Sequence, residues 1–216
     1  MKTVVAIDGP AASGKSSVAK KVSARLGFSY VDSGAFYRAI TWWILRRKAD
    51  PESASQVSAV IAESKIESGF EGDEGFLCID GFDPKPHLRD EDVNRSVSPV
   101  SVVPAVRECL TGHLRALAEI RDVVVVGRDI GSVVFPDTLF KFYIDASQNV
   151  RQQRRNAEGQ DDEIARRDRI DSSRAHAPLT IARGAIVIDS THLSVQGVVG
   201  EMIRQLDAKG LSIVRR

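Results

Sequence analysis

Cysteine is nearly absent. Cys78 and Cys109 are the only two, and neither stands in a metal-ligand spacing. No signal-peptide pattern and no long apolar run occurs. The expectation is a cytoplasmic protein whose thiols are reduced, each packed as a small buried hydrophobe. Charge imbalance is missing too. Thirty Lys and Arg against 29 Asp and Glu leave a formal charge of +1, which argues against a general binder of nucleic acid or of membrane surfaces. Internal repeats and low-complexity tracts are also missing. What remains is 216 residues, enough for one good core with small inserted subdomains.

The chain is organised around Gly9-Pro10-Ala11-Ala12-Ser13-Gly14-Lys15-Ser16. It fits G-x-x-x-x-G-K-[ST], the phosphate-binding loop. The context that motif needs is present. Thr3 to Ile7 is a β-branched apolar run, a buried-strand signal. Val18, Val22 and Leu26 recur on one helical face, and Gly27 is a good stop. Backbone N–H groups at a helix N-terminus suit an anion, and the helix dipole adds partial positive charge. Gly9 and Gly14 allow dihedrals and close approach that a Cβ would block. Lys15 can reach the β- and γ-phosphates, and the Ser16 hydroxyl can ligate Mg²⁺. The motif says nucleoside triphosphate and leaves the acceptor open.

Further along, Phe28 to Asp32 is strand-like, and a helix is expected from Phe36 with Phe36, Ile40, Trp43 and Ile44 on its stripe. Arg38 lies off that stripe near the helix start, where the dipole disfavours a cation, so an anionic partner is expected. A short helix should run from Asp50-Pro51-Glu52 through Ile61. From roughly Ala49 to Pro104, with strand-like pieces between Gly69 and Gly81, the chain reads as a small inserted subdomain holding a hairpin or a three-stranded sheet. Pro104 suits the first turn of a helix carrying Val106, Leu110, Leu114 and Leu117, with Arg107 about 100° off the stripe and able to project from the flank. Val123 to Val126 is a strand apolar on both faces, as in a parallel sheet. It ends in Gly127-Arg128-Asp129, and ligands of open α/β sheets lie beyond the carboxyl ends of strands. Leu139–Ile144 and Ala185–Asp189 supply the last strands, and a helix from about Ser194 to Leu206 closes the chain.

Between those two strands the sequence is rich in arginine. Ser147 can cap a helix carrying Arg151, Arg154 and Arg155, and Asn156 to Gly159 is a turn. On the next helix Arg167, Asp171 and Arg174 share one face. A salt-bridged solvent face is one reading of that row. Bidentate capture of phosphate oxygens opposite a triphosphate loop is the other.

These pieces resemble the nucleoside monophosphate kinases, and most closely the bacterial cytidylate (CMP) kinases. The resemblance covers nearly the whole chain. It rests on A-I-D-G-P-A-A-S-G-K-S at Ala6–Ser16, D-S-G-A-F-Y-R at Asp32–Arg38 and S-x-x-S-x-x-P-x-V-R at Ser98–Arg107. It continues with G-R-D-I-G-S-V-V-F-P-D at Gly127–Asp137 and R-D-R-I-D-S-S-R-A-H-A-P-L at Arg167–Leu179. It implies an α/β fold of the P-loop NTPase type: a five-stranded parallel sheet flanked by helices, a monophosphate-binding insert and a short lid. The core would be residues 1–33, 105–146 and 179–216, the insert 34–104 and the lid 147–178. The donor ATP would sit on Gly9 to Ser17 and Arg154, with Mg²⁺ on Ser16. Ser98, Arg107 and Asp129 would read the cytosine ring. Arg38, Arg128 and Arg174 would hold the monophosphate, Arg167 and Asp171 the ribose, and Ser33 would line the acceptor site. Lys15, Arg38, Arg128 and Arg174 would carry catalysis. A monomer acting on CMP or dCMP, with no nucleic-acid or membrane partner, is implied. The chain departs from the family at two places. Arg155 to Arg167 is shorter than the usual lid, and Pro86–Asn94 reads P-H-L-R-D-E-D-V-N where relatives carry a more regular I-R-T-x-E-V.

The chemistry of the base agrees with Asp129. Cytosine offers an N4 amino donor and the O2 and N3 acceptors; a carboxylate suits the donor, and arginine or serine the acceptors. Uracil would set a carbonyl oxygen against that carboxylate. Other readings are a small P-loop kinase with a different acceptor, a GTP switch, which would need an N-K-x-D that the sequence lacks, and a nucleic-acid binder.

Overall fold

The structure, a computed structural model, describes residues 2–157 and 179–211. The chain divides into two compact units, Met1–Tyr30 with Arg121–Arg216, and Val31–Ile120.

In the first unit the β-branched run Val4–Asp8 forms β1, buried along its whole length. It takes parallel neighbours on both sides. Val4 to Ile7 pair with Val123 to Val126 of β5 (Val123–Val126), and Val5 to Asp8 pair with Phe140 to Tyr143 of β6 (Phe140–Asp145). β7 (Ile186–Asp189) adds to β6, also parallel. With β2 (Ser29–Asp32), whose Ser29 amide donates to the Asp122 carbonyl at 3.0 Å, the order is β2-β5-β1-β6-β7. An α/β architecture with a mostly parallel sheet is therefore present. These registers bring Asp8, Gly127, Asp145 and Ser190 to one edge of the sheet, where the strands end.

Two helices cover this sheet. α1 (Lys15–Leu26) buries Val18, Val22 and Leu26, the stripe read from the sequence, and stops at Gly27, whose φ of +69° is left-handed. α7 (Val195–Ala208) is capped by Ser194, whose Oγ accepts from the Gly197 amide. Val198, Val199, Met202, Ile203 and Leu206 join Val5, Ile7, Val18, Val22 and Phe142 in one core. Each such side chain contributes about 1.5–3 kcal/mol by leaving water. α6 (Gln148–Ala157) follows β6, so Asn156 and Ala157 are helical and not part of the expected turn.

The second unit holds α2 (Ser33–Arg46), α3 (Ala54–Glu63), β3 (Ile66–Glu71), β4 (Glu74–Ile79), α4 (Glu91–Val102) and α5 (Pro104–Ile120). α2 starts three residues before the expected Phe36. Asp32 caps it, its carboxylate accepting from the Gly34 and Ala35 amides at 2.9 and 3.3 Å. α3 starts later than expected, because Ser53 is its cap and Asp50-Pro51-Glu52 forms the turn before it. β3 and β4 are the expected hairpin, antiparallel from Ile66↔Ile79 to Glu71↔Glu74. The stretch that follows the hairpin holds a helix, α4. Acidic Glu91 and Asp92 occupy its first turn, Val93 and Val100 lie two turns apart on its buried side, and Pro99 sits inside it. Cys78 and Cys109 are free thiols, half-buried and not fully enclosed as expected. Among the described residues no helix is long and apolar enough to cross a membrane.

Candidate active site

The loop between β1 and α1 has the conformation its glycines predict. Gly9 has φ +151°, and a Cβ there would lie 2.1 Å from the Ile144 carbonyl oxygen. Gly14, at φ +86°, is the N-cap of α1 and brings no capping side chain to the first-turn amides. Ala12 is also left-handed, at φ +56°.

Four of the loop's carbonyls are taken by donors. Arg128 Nη1 donates to Gly9 at 3.1 Å, Lys15 Nζ to Pro10 at 2.6 Å, Arg151 Nη1 to Ala11 at 3.2 Å and Ser190 Oγ to Ser13 at 3.1 Å. With those four carbonyls held, the loop offers what an anion wants: the backbone N–H groups at the start of a helix. Ser13 Oγ is buried and has no partner among the described residues. A hydroxyl in that state fits a guest that brings oxygens. Arg154, expected on the ATP side, donates to the Ser190 hydroxyl and carbonyl at 3.1 and 2.8 Å, and its Nη1 lies 3.7 Å from where a Cβ of Gly14 would stand. Ser16 and Ser17 are exposed on the first turn of α1. Among the described residues no group of three or more His, Cys, Asp or Glu could hold a metal ion. One exposed hydroxyl beside a phosphate-binding loop nevertheless fits Mg²⁺, which keeps several waters and takes few protein ligands.

The turn after β5 is fastened to the same loop. Gly127 N–H donates to the Ile7 carbonyl. Arg128 holds Gly9 as above, and Asp129 is only 4% exposed. A one-turn π-helix, Ile130–Val134, follows. Its first two amides, of Ile130 and Gly131, donate to Oδ1 and Oδ2 of Asp8 at 2.8 Å each. Burial pushes the Asp8 carboxyl up to about 6 against the opposing pull of those amides and of Lys15, and Asp129 pushes the same way as burial.

In the second unit, Arg38 Nη1 donates to the Leu88 carbonyl at 3.1 Å and to Asn94 Oδ1 at 2.6 Å. Asn94 Nδ2 in turn donates to the Arg89 carbonyl at 2.9 Å. Arg107 is 8% exposed, donates to the Ser101 carbonyl at 3.2 Å and lies over the Tyr37 ring. Ser98 is in α4, its carbonyl accepting from Ser101 Oγ, and Ser33 is buried at the start of α2. Arg167, Asp171 and Arg174 lie outside the described residues.

Sequence reading had not singled out Asp8, Asn94 or Ser190, and it had put Arg151 only among the helix arginines. Asp8 carried the signal that marked Arg128 and Asp129, a charge at the end of a buried strand. The other three have no such mark, since their work is to hold a main-chain oxygen or to serve Arg38 across distant segments.

A family model described as Cytidylate kinase matches residues 5–208. The chain is 44% identical over 206 residues to a cytidylate kinase of Caldanaerobacter subterraneus subsp. tengcongensis, covering 90% of each protein. It is 39% identical over 215 residues to a cytidylate kinase of Streptomyces griseus, covering 95% of this chain and 93% of that one. It is 40% identical over 215 residues to a cytidylate kinase of Rhodococcus opacus, covering 93% of each.

Proposed function

Because the chain belongs to the cytidylate kinase family, we propose that it transfers the γ-phosphoryl group of ATP to the α-phosphate of CMP or dCMP, giving ADP and CDP or dCDP. The observation that carries this reading is the loop whose carbonyls are held by Lys15, Arg128, Arg151 and Ser190, with Asp129 on the adjoining turn.

The attacking oxygen belongs to a phosphate already ionised at neutral pH, so the protein needs no strong general base. Its task is alignment and charge stabilisation. The amides of Gly9 to Ser17 and the Lys15 ammonium hold the donor, with Arg154 beside them. Lys15 leaves the Pro10 carbonyl for a phosphate oxygen, a trade of one acceptor for a charged and stronger one. Arg38, Arg128 and Arg174 hold the acceptor phosphate, and Ser33 lines its site. Arg167 and Asp171 take the ribose. Ser98, Arg107 and Asp129 read the base. Ser16 would hold Mg²⁺, which would supply neutralisation of the donor's phosphate charge. In this reading residues 34–104 are the acceptor insert, 147–178 the lid that excludes water from the transfer, and 1–33, 105–146 and 179–216 the core. The protein works as a cytoplasmic monomer on small nucleotides.

ADP formation from ATP with CMP, dCMP, UMP, AMP, GMP and shikimate in turn tests the proposal. CMP and dCMP are expected to give the highest kcat/KM. A clear preference for another acceptor would overturn it. In the same assay Asp129→Ala is expected to lower the preference for CMP over UMP by about 10–100-fold, the worth of one buried charged hydrogen bond. Unchanged selectivity would remove Asp129 from the base site.

A further inference from the structure

Two successive residues fasten the donor loop to the turn that follows β5. The Gly9 carbonyl accepts from the Arg128 side chain. One residue earlier, the Asp8 carboxylate accepts from the main chain of Ile130 and of Gly131, one amide to each oxygen at 2.8 Å. Asp129 lies between these attachments. The residue before it is tied by its guanidinium, and the two after it are tied by their amides.

Asp8 is a costly choice for such a place. It is 2% exposed, and buried carboxylates resist ionisation. A second acid, Asp129, stands close enough to add repulsion, offset by Lys15. A backbone clamp alone could be built from a neutral side chain. Two parallel amides, however, ask for two acceptors on one short side chain, and only aspartate offers them without a donor in between. Asparagine has one oxygen, and its NH₂ would face an N–H. The partner side is fitted to match. A Cβ on Gly131 would meet Asp8 Oδ2, Lys141 Cγ and Lys141 Cδ, each at 3.3 Å.

We propose that Asp8 is a positioning residue for acceptor selectivity: by gripping the amides of Ile130 and Gly131 it fixes the main chain at Asp129, and so the carboxylate that meets the base. The inference rests on the reading of Asp129 given above. It makes the choice of base depend on the strand that carries the phosphate-binding loop.

The experiment compares kcat/KM for CMP and for UMP, at saturating ATP, in the wild type and in Asp8→Asn, Gly131→Ala and Asp129→Ala. Loss of folded or active protein lowers both acceptors alike and leaves their ratio alone, so the ratio reports positioning. Asp8→Asn leaves one amide unpaired and is expected to lower the CMP:UMP ratio about tenfold, with KM for ATP within about twofold of wild type. Gly131→Ala presses on the same contact from the other side and is expected to move the ratio in the same direction; it decides the matter should Asp8→Asn fail to fold. A wild-type ratio in both variants, while Asp129→Ala loses selectivity, would overturn the positioning role and leave the reading of Asp129 standing. A wild-type ratio in Asp129→Ala would overturn both.

Discussion

A carboxyl group that holds its proton more tightly in the folded chain than in the unfolded one makes stability depend on pH. Asp8 is raised from 3.8 to about 6 by burial. The native state therefore binds the proton more strongly across that interval. Its contribution is fully present below about pH 4, falls as pH rises through about 6, and is flat above. The groups near it are Asp129, Lys15 and, through Gly131, Lys141. Relative to Asp8→Asn, the wild type is expected to lose about 2 kcal/mol of unfolding free energy between pH 4 and 7. Urea unfolding of both proteins at pH 4, 5, 6 and 7 measures this, and a difference independent of pH would refute it. At this scale the sequence was legible where chemistry demands one residue type at one spacing, as at Gly9, Gly14, Lys15 and Ser16. It was silent at Arg151 and Ser190, because many donors can hold a carbonyl and no spacing announces the one that does.

The strands could be read as elements because β-branched runs such as Val123 to Val126 have few other uses. Not every helix could be read fully, and α2 and α4 show why. The start of α2 hides in Ser33-Gly34, poor helix formers that depend on the Asp32 cap. α4 hides behind Pro99, whose ring normally breaks a helix, and behind a stretch with few apolar residues. Yet α4 matters to the candidate site, for it brings Asn94 to Arg38. Without that oxygen the guanidinium loses its 2.6 Å acceptor and one of the contacts that orient it. Asn94→Ala is accordingly expected to raise KM for CMP about 3–10-fold, with KM for ATP unchanged. Steady-state kinetics with each substrate varied checks it; a change confined to ATP would contradict this role.

Across the described residues, the P-loop and the order of the core strands and helices agree with an α/β fold. The match to family relatives spans almost the chain's full length. Stability of the first unit is concentrated where α1 and α7 meet the sheet, and Met202 is fully enclosed there. Met202→Ala is expected to cost about 2–5 kcal/mol while leaving the CMP:UMP preference intact, because Met202 belongs to the core cluster of Val5, Ile7, Val18 and Val22, to which none of the proposed base-reading residues belongs. Denaturant melts and acceptor kinetics on the same sample test both halves of that statement.

A ring of side chains grips the back of the phosphate-binding loop at Gly9, Pro10, Ala11 and Ser13. Its contour is thus imposed from behind, and the nucleotide does not have to sculpt it. In the proposed reading only one of the four grips, the lysine's, has to let go when a triphosphate arrives, so each turnover would begin from a finished mould.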